Sequence, residues 1–129
     1  MESIRLLLSY ACSKNIKVYQ MDVKSTFLNG DLEEVYMEQP KGFQLSDNKH
    51  NVYRLKKALY GLKQAPRAWY SRLDKCLQQQ GYKKGNVNNN LYIKEENDSL
   101  IIVEVYVDDI IFGIDKGKLI NKFVESMQK

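Results

Sequence analysis

Three segments of the chain carry apolar residues at helical spacing. Proline suits the first turn of a helix, and glycine suits the residue that follows its last turn. The pattern therefore predicts three amphipathic helices. They are Ser3 to Lys14 with Ser3 as a candidate N-cap, a helix from Pro66 to Gly81, and Leu119 to Met127 with Asp115 as a candidate cap.

Shorter apolar or alternating runs between these segments predict β-strands. The predicted strands are Lys17 to Val23, Val35 to Met37, Val52 to Leu55, Leu91 to Ile93 and Leu100 to Val107. Asn97-Asp98 predicts a hairpin turn between the last two, and Gln44 to Asn51 reads as a polar loop. The order of the elements predicts an α+β fold, with an antiparallel sheet and helices on one face.

Side-chain parity adds an expectation about two of the strands. Ile101, Val103, Val105 and Val107 form a wholly apolar set that should pack on the helices. The opposite set includes Glu104, Tyr106 and, by extension, Asp108. Asp22 also opposes the apolar residues of its own strand, so we expect Asp22 and Asp108 on the open face of one sheet.

Composition narrows the class of protein. The chain has 129 residues, 43% of them hydrophobic and 28% charged, which is ordinary for one globular domain and argues against disorder. The net charge of +4 suits a partner that carries phosphates without requiring one, and nine tyrosines offer rings that stack on bases as well as fill a core. The strongest apolar run, Leu100 to Phe112, is too short and too acidic to span a membrane. We therefore expect a soluble intracellular protein without a membrane partner.

Two cysteines and one histidine exclude a zinc cluster of Cys and His ligands. Cys12 and Cys76 fall on apolar helix faces, which predicts buried free thiols in a reducing compartment.

Candidate chemistry lies in three aspartates. Asp108 and Asp109 are adjacent at the end of an apolar run, and Asp22 lies on an earlier predicted strand. Several carboxylates from two strand ends suit two divalent metal ions about 4 Å apart, because the metal charge offsets the crowding of like charges. On spacing alone, a solvated turn is the simpler interpretation, since aspartates are common in turns.

Three blocks of sequence favour the metal site over the solvated turn. Together they resemble the reverse transcriptase of copia-type long-terminal-repeat retrotransposons, over almost the whole chain. The blocks are Gln20-Met21-Asp22-Val23-Lys24-Ser25-Thr26-Phe27-Leu28-Asn29-Gly30, then Leu59-Tyr60-Gly61-Leu62-Lys63-Gln64-Ala65-Pro66-Arg67-Ala68-Trp69-Tyr70, then Tyr106-Val107-Asp108-Asp109-Ile110.

The resemblance implies a polymerase palm and a function, RNA-directed DNA synthesis by two-metal transfer of dNTPs onto a primer. Asp22, Asp108 and Asp109 match the catalytic carboxylates, and the Val23 carbonyl would be a further ligand of two Mg²⁺ ions, for which Mn²⁺ could substitute. The implied partners are an RNA or DNA template with its primer, dNTPs, and the remaining segments of a polyprotein.

Other positions carry implied binding roles. Phe27 matches the aromatic gate under the sugar of the incoming nucleotide, although a core residue beside a turn is the alternative interpretation. The remaining nucleotide-binding candidates are Tyr60, Gly61, Tyr106 and Val107. The candidates for binding nucleic-acid phosphates are Lys56, Lys57, Lys63, Arg67 and Arg72, with a solvated basic surface as the alternative.

The resemblance also implies that residues 1–129 are a single partial reverse transcriptase domain, without most of the fingers, the thumb or ribonuclease H. We expect the isolated chain to be weakly active or inactive. The parent element would assemble in a cytoplasmic virus-like particle, with its gene integrated in the nuclear genome. Two alternatives stay open, namely a non-catalytic nucleic-acid-binding module and a non-functional retroelement remnant.

Overall fold

A computed structural model describes residues 2–44 and 50–128 of the chain, and within them it confirms the α+β class. The helices and strands of this described part follow the predicted order with two added strands. The helices are α1 (Glu2–Ser13), α2 (Ala65–Gln79) and α3 (Ile120–Met127). The strands are β1 (Lys17–Asp22), β2 (Asp31–Glu38), β3 (Val52–Lys57), β4 (Lys83–Lys84), β5 (Leu91–Glu96), β6 (Ser99–Tyr106) and β7 (Asp109–Ile114).

The chain divides into two compact units. The first, here called the sheet unit, comprises the residues up to Lys24 and those from Cys76 onward. The second, here called the ribbon unit, comprises Ser25–Lys75. None of the described helices is long and apolar enough to cross a membrane.

A five-stranded antiparallel sheet, in the order β1-β7-β6-β5-β4, forms the sheet unit. One row of its register joins Tyr19, Phe112, Val103 and Tyr92. Phe112 is 2% exposed and its ring lies 4.5 Å from that of Phe123 in α3, while α1 contacts β1 and β6. This face of the sheet is therefore the core of the unit, and it is built mainly by aromatic and β-branched side chains.

Parity along β6 predicted this core correctly for three positions and failed at two. Ile101, Val103 and Val105 are at most 3% exposed, as expected. Val107 lies beyond the strand and is 42% exposed, because β6 ends at Tyr106. Glu104 was expected on an open face but is only 1% exposed.

The burial of Glu104 has a physical explanation in the loop before β5. The Asn88 side-chain amide donates to both carboxylate oxygens of Glu104, at 3.1 and 3.3 Å. The Asn88 side-chain oxygen in turn accepts from the Asn90 backbone N–H at 2.9 Å, and the Val105 N–H donates to the Asn90 carbonyl. A buried carboxylate is tolerated where it is hydrogen-bonded in this way.

Local end signals were mostly correct. Pro66 lies in the first turn of α2, and Gly81, with φ 87°, follows its end. The Tyr82 N–H donates to the Leu77 carbonyl and the Gly81 N–H to the Gln78 carbonyl, which is the Schellman arrangement. Asn97 and Asp98 both have positive φ and form the predicted hairpin turn.

Three local predictions were wrong. Ser3 does not cap α1, because the helix already includes Glu2. Asp115 does not cap α3, because its carboxylate accepts hydrogen bonds from the Ser99 hydroxyl and the Leu100 N–H instead. Both cysteines are free thiols as predicted, but they are not buried, because Cys12 is exposed and Cys76 is only partly buried.

Of the predicted polar loop from Gln44 to Asn51, residues 45–49 lie outside the described part of the chain.

The ribbon unit contains the antiparallel pair β2–β3. Its register shifts between Asp31 and Val35, where Glu34 has φ 21°, so β2 bulges by two residues against β3. Asp31 accepts a hydrogen bond from Lys57 at 2.5 Å, and the Arg72 guanidinium donates to the Asn29 carbonyl at 2.9 Å. The hydrogen bond from the Lys57 ammonium lowers the pKa of the Asp31 carboxyl, which extends the charged form of this ion pair to lower pH.

Candidate active site

A tight hairpin turn presents two of the candidate carboxylates. β6 and β7 pair up to Tyr106 and Asp109, which leaves a two-residue loop of Val107 and Asp108. Of these two, Val107 alone has positive φ, at 57°, a pattern that matches a type II′ turn. A β-branched residue in that region is a steric outlier, since its Cβ crowds the backbone. The turn therefore holds local strain where the candidate chemistry lies.

The third carboxylate comes from the neighbouring strand. In the β1–β7 register Asp22 lies directly opposite Asp109, and Asp109 lies opposite Tyr106 on the other side. Directly opposed residues share a face of the sheet, with Cβ atoms about 5 Å apart. The pairing continues past Asp22, because the Val23 N–H donates to the Asp108 carbonyl at 3.0 Å. The backbone thus brings Asp22 beside the doublet.

The geometry differs from the parity argument in one respect. Asp109, not Asp108, shares the row with Asp22, because Asp108 belongs to the loop rather than to β6. Asp22 is exposed, whereas Asp108 and Asp109 are half-buried. All three can therefore be reached from solvent at the same end of the β1–β7 pair.

The side chains themselves are not gathered around one point. Within residues 2–44 and 50–128, no three or more His, Cys, Asp or Glu side chains are arranged to hold a metal ion. The Asp109 carboxylate instead accepts a hydrogen bond from the Gln20 side-chain amide at 2.8 Å. The donor chemistry nevertheless suits Mg²⁺, which prefers carboxylate and carbonyl oxygens.

Comparison with known proteins decides the family. A sequence profile described as reverse transcriptase (RNA-dependent DNA polymerase) matches residues 1–129. The chain belongs to this reverse transcriptase family. The resemblance seen in the three sequence blocks is thereby confirmed.

Relatives of the chain include proteins encoded by transposons. The whole chain is 48% identical to part of the retrovirus-related Pol polyprotein from transposon TNT 1-94 of Nicotiana tabacum. Over 98% of its length it is 44% identical to the corresponding protein from transposon RE2 of Arabidopsis thaliana. The chain spans 10% and 9% of these two proteins. Over 84% of its length it is also 33% identical to the putative transposon Ty5-1 protein of Saccharomyces cerevisiae, of which it covers 36%.

Two of the nucleotide-binding candidates meet in the ribbon unit. The rings of Phe27 and Tyr60 contact edge to face, with centroids 4.7 Å apart. Phe27 is half-buried and Tyr60 is 59% exposed. The next residue, Gly61, has φ 88° in a turn closed by the Leu62 N–H and the Leu59 carbonyl, and glycine suits this position of a type II turn. In the sheet unit, Tyr106 and Val107 are 47% and 42% exposed.

The basic candidates fall into two groups. Lys57 and Arg72 are engaged within the ribbon unit, through the 2.5 Å bond to Asp31 and the 2.9 Å bond to the Asn29 carbonyl. Lys56, Lys63 and Arg67 are exposed side chains. The described contacts therefore give Lys57 and Arg72 a structural use that the sequence did not reveal.

Sequence reasoning missed two features of the site. One is strand β7, which places Asp109 opposite Asp22. The other is Gln20, which lies two residues before Asp22 and therefore on the same face of β1. Parity alone could have identified Gln20 as a neighbour of Asp22, but only the strand register reveals its bond to Asp109.

Proposed function

We propose that this chain is the palm segment of an RNA-directed DNA polymerase from a copia-type retrotransposon. The reaction is transfer of a deoxynucleotide from a dNTP to the 3′ end of a primer on an RNA or DNA template. One observation carries the proposal, namely the β1–β7 register that sets Asp22 opposite Asp109 with Asp108 in the adjoining turn. Family membership gives that arrangement its chemical meaning.

The architecture supports a palm. An antiparallel sheet provides a stiff platform, and its aromatic core row fixes the strands that carry the aspartates. Asp22 and Asp109 lie on the face opposite the Phe112 row, because an odd number of positions separates them from Tyr19 and Phe112 along their strands. The face that carries the aspartates is the one we propose for the nucleic acid.

The carboxylates and one carbonyl would hold the metal. Asp22, Asp108, Asp109 and the carbonyl of Val23 supply hard oxygen donors from two adjacent chain segments. Two bound Mg²⁺ ions, or Mn²⁺ in their place, would lower the pKa of the primer 3′-hydroxyl and stabilise charge on the phosphates. The protein contributes the placement of the acids, and the turn at Val107 fixes the direction in which Asp108 leaves the sheet.

Substrate binding is assigned to aromatic and basic residues. Phe27 and Tyr60, in mutual contact, would pack against the sugar and base of the dNTP, with Gly61 beside them. Tyr106 and Val107 are exposed next to the aspartates and would contact the incoming nucleotide. Lys56, Lys63 and Arg67 would bind phosphates without sequence preference, and Lys57 and Arg72 could join them by leaving their present partners.

Polymerase activity would require more of the polyprotein. The tobacco and Arabidopsis relatives are about ten times longer than this chain, which spans 10% and 9% of them. We therefore propose that the remaining segments of the polyprotein are its obligatory partners, and that the isolated chain extends primers weakly or not at all.

Primer extension by a chimera tests the proposal. These residues would replace the corresponding segment of the tobacco TNT 1-94 polyprotein, with which they are 48% identical. Asp108→Asn should lower extension by more than about 100-fold, because loss of an outer-shell partner alone costs up to that factor. Asp98→Asn is the matched control, since Asp98 lies in the other hairpin turn of the same sheet.

Two outcomes would contradict the proposal. Equal extension by the Asp108→Asn and Asp98→Asn chimeras would remove the carboxylate from the reaction. Salt-sensitive nucleic-acid binding that survives in both would then favour a non-catalytic binding module. An inactive chimera with the unaltered residues would instead favour a non-functional remnant.

A further inference from the structure

The hydrogen bond between Gln20 and Asp109 links two strands at the proposed metal site. The Gln20 Nε2 atom donates to the Asp109 Oδ1 atom at 2.8 Å. Gln20 precedes Asp22 by two residues on β1, so both side chains emerge on the same face of the sheet. This side-chain contact ties Asp109 of β7 to the neighbouring strand β1.

The register makes this contact a diagonal one. Asp22 lies directly opposite Asp109, whereas Gln20 lies opposite Ile111. The backbone positions of diagonal neighbours on paired strands are about 7–8 Å apart, and only long side chains span that distance. Gln20 is long enough to make this contact. Its amide therefore orients the Asp109 carboxylate toward Gln20 rather than toward Asp22, which lies directly opposite.

The chemistry of the bond suits a carboxylate that must stay charged. An ionised carboxylate only accepts hydrogen bonds, which identifies the Gln20 amide nitrogen as the donor. The amide is neutral, so it orients Asp109 without cancelling the negative charge that attracts a cation. It also occupies one carboxylate oxygen, Oδ1, and thereby fixes the direction of the other.

We propose that Gln20 is a positioning residue for Asp109, which it orients for binding of the divalent ions. The inference rests on the proposed function, because it assumes that Asp109 takes part in metal binding. Carboxylates that bind metals are commonly hydrogen-bonded by a second layer of residues, and removal of such a partner weakens metal affinity by about 10- to 100-fold.

Mn²⁺ binding to the full 129-residue chain provides the test, measured by water-proton relaxation. Gln20→Met keeps the length of the side chain and removes the donor, and it should weaken Mn²⁺ binding by at least about 10-fold. Gln20→Asn should not restore binding, because its amide is one methylene too short for the diagonal contact. Gln79→Met, at an exposed glutamine of α2, is the control and should leave the affinity unchanged.

A second measurement follows the bond without metal. The side-chain amide of Gln20 should shift in the ¹⁵N NMR spectrum of the Asp109→Ala variant and stay in place in Asp98→Ala. A merely structural role for Gln20 would change thermal stability but not metal affinity, so melting curves of all variants accompany the titrations.

The outcomes separate this inference from the proposed function. Asp22→Asn must abolish Mn²⁺ binding if the proposed function holds, and binding that ignores Asp22 would overturn both proposals. Binding that depends on Asp22 but is the same in Gln20→Met and the unaltered chain would overturn the role of Gln20 alone. An unchanged Gln20 amide signal in Asp109→Ala would overturn it as well.

Discussion

Two hairpin turns in the same sheet are built on opposite principles. The β5–β6 and β6–β7 hairpins share strand β6, and each closes with a two-residue loop, Asn97-Asp98 in one and Val107-Asp108 in the other. Asn97 and Asp98 have φ of 52° and 54°, a conformation that Asn and Asp tolerate well. Val107 has φ 57°, which a β-branched residue adopts only under strain.

The β5–β6 turn, here called the relaxed turn, has residues that suit its backbone conformation, whereas the β6–β7 turn, here called the strained turn, does not. Residues in sparsely populated backbone regions cost about 1–3 kcal/mol each and are found preferentially at functional sites. The strained turn is also the one that carries Asp108 and places Asp109 opposite Asp22. The relaxed turn also carries one acid, Asp98, but it lies at the other end of β6. The strain at the β6–β7 turn is therefore consistent with the function proposed for its aspartates.

Exchange of residues between the turns should produce the largest effect on stability. Asn97→Val places a β-branched residue at φ 52° in the relaxed turn. We expect the free energy of unfolding of the sheet unit to fall by about 1–3 kcal/mol, the usual cost of such strain. Urea denaturation measures it. Glu95→Val, at an exposed strand position nearby, is the control, and an equal loss there would remove the explanation by backbone strain.

The same contrast explains which parts of the fold could be predicted from sequence. Asn97-Asp98, Pro66 and Gly81 are local signals whose chemistry matches their backbone conformation, and the elements that they delimit were predicted. Strand β7 was missed because Val107 gives no sign of a turn. The burial of Glu104 was missed because its partner, Asn88, lies 16 residues away in the sequence.

The candidate site divides in the same way. That Asp22 belongs beside the Asp108-Asp109 doublet could be inferred from strand parity and from the resemblance to copia-type reverse transcriptases. The pairing of β1 with β7 joins segments that are far apart in the sequence, and no local sequence signal predicts it. The bond between Gln20 and Asp109 depends on this pairing. The sequence predicted phosphate binding for Lys57 and Arg72. It gave no sign of their acceptors, Asp31 and the Asn29 carbonyl, because these become neighbours only in the folded ribbon unit.

Relief of the strain at Val107 should give a smaller, opposite change. Val107→Gly removes a cost of about 1–3 kcal/mol but adds about 0.5–1 kcal/mol of backbone entropy to the unfolded chain. Strain relief wins, and we expect a net gain of about 1 kcal/mol in urea denaturation, together with lower primer extension by the chimera. Val87→Gly, in an exposed loop, should show the entropic loss alone. A destabilised Val107→Gly chain would mean that the turn is not strained.

Acid titration gives the smallest and most specific contrast between the hairpins. Glu96 precedes the relaxed loop as Tyr106 precedes the strained one, and hydrogen bonds from Lys122 and then Lys94 lower the pKa of Glu96 from 4.5 to about 2. A lowered carboxyl pKa stabilises the fold at pH values above the pKa of the unfolded chain, and this contribution is lost as the pH falls from about 4.5 through about 2.

The difference in the free energy of unfolding between the unaltered chain and Glu96→Gln should therefore be constant near neutral pH and shrink below pH 4.5. Urea denaturation from pH 7 to pH 2 measures it, with Glu95→Gln as the matched control at an exposed position of the same strand. A difference that stays the same down to pH 2 would show that the two lysines do not hold the charged form of Glu96, and that the relaxed hairpin depends on its turn residues alone.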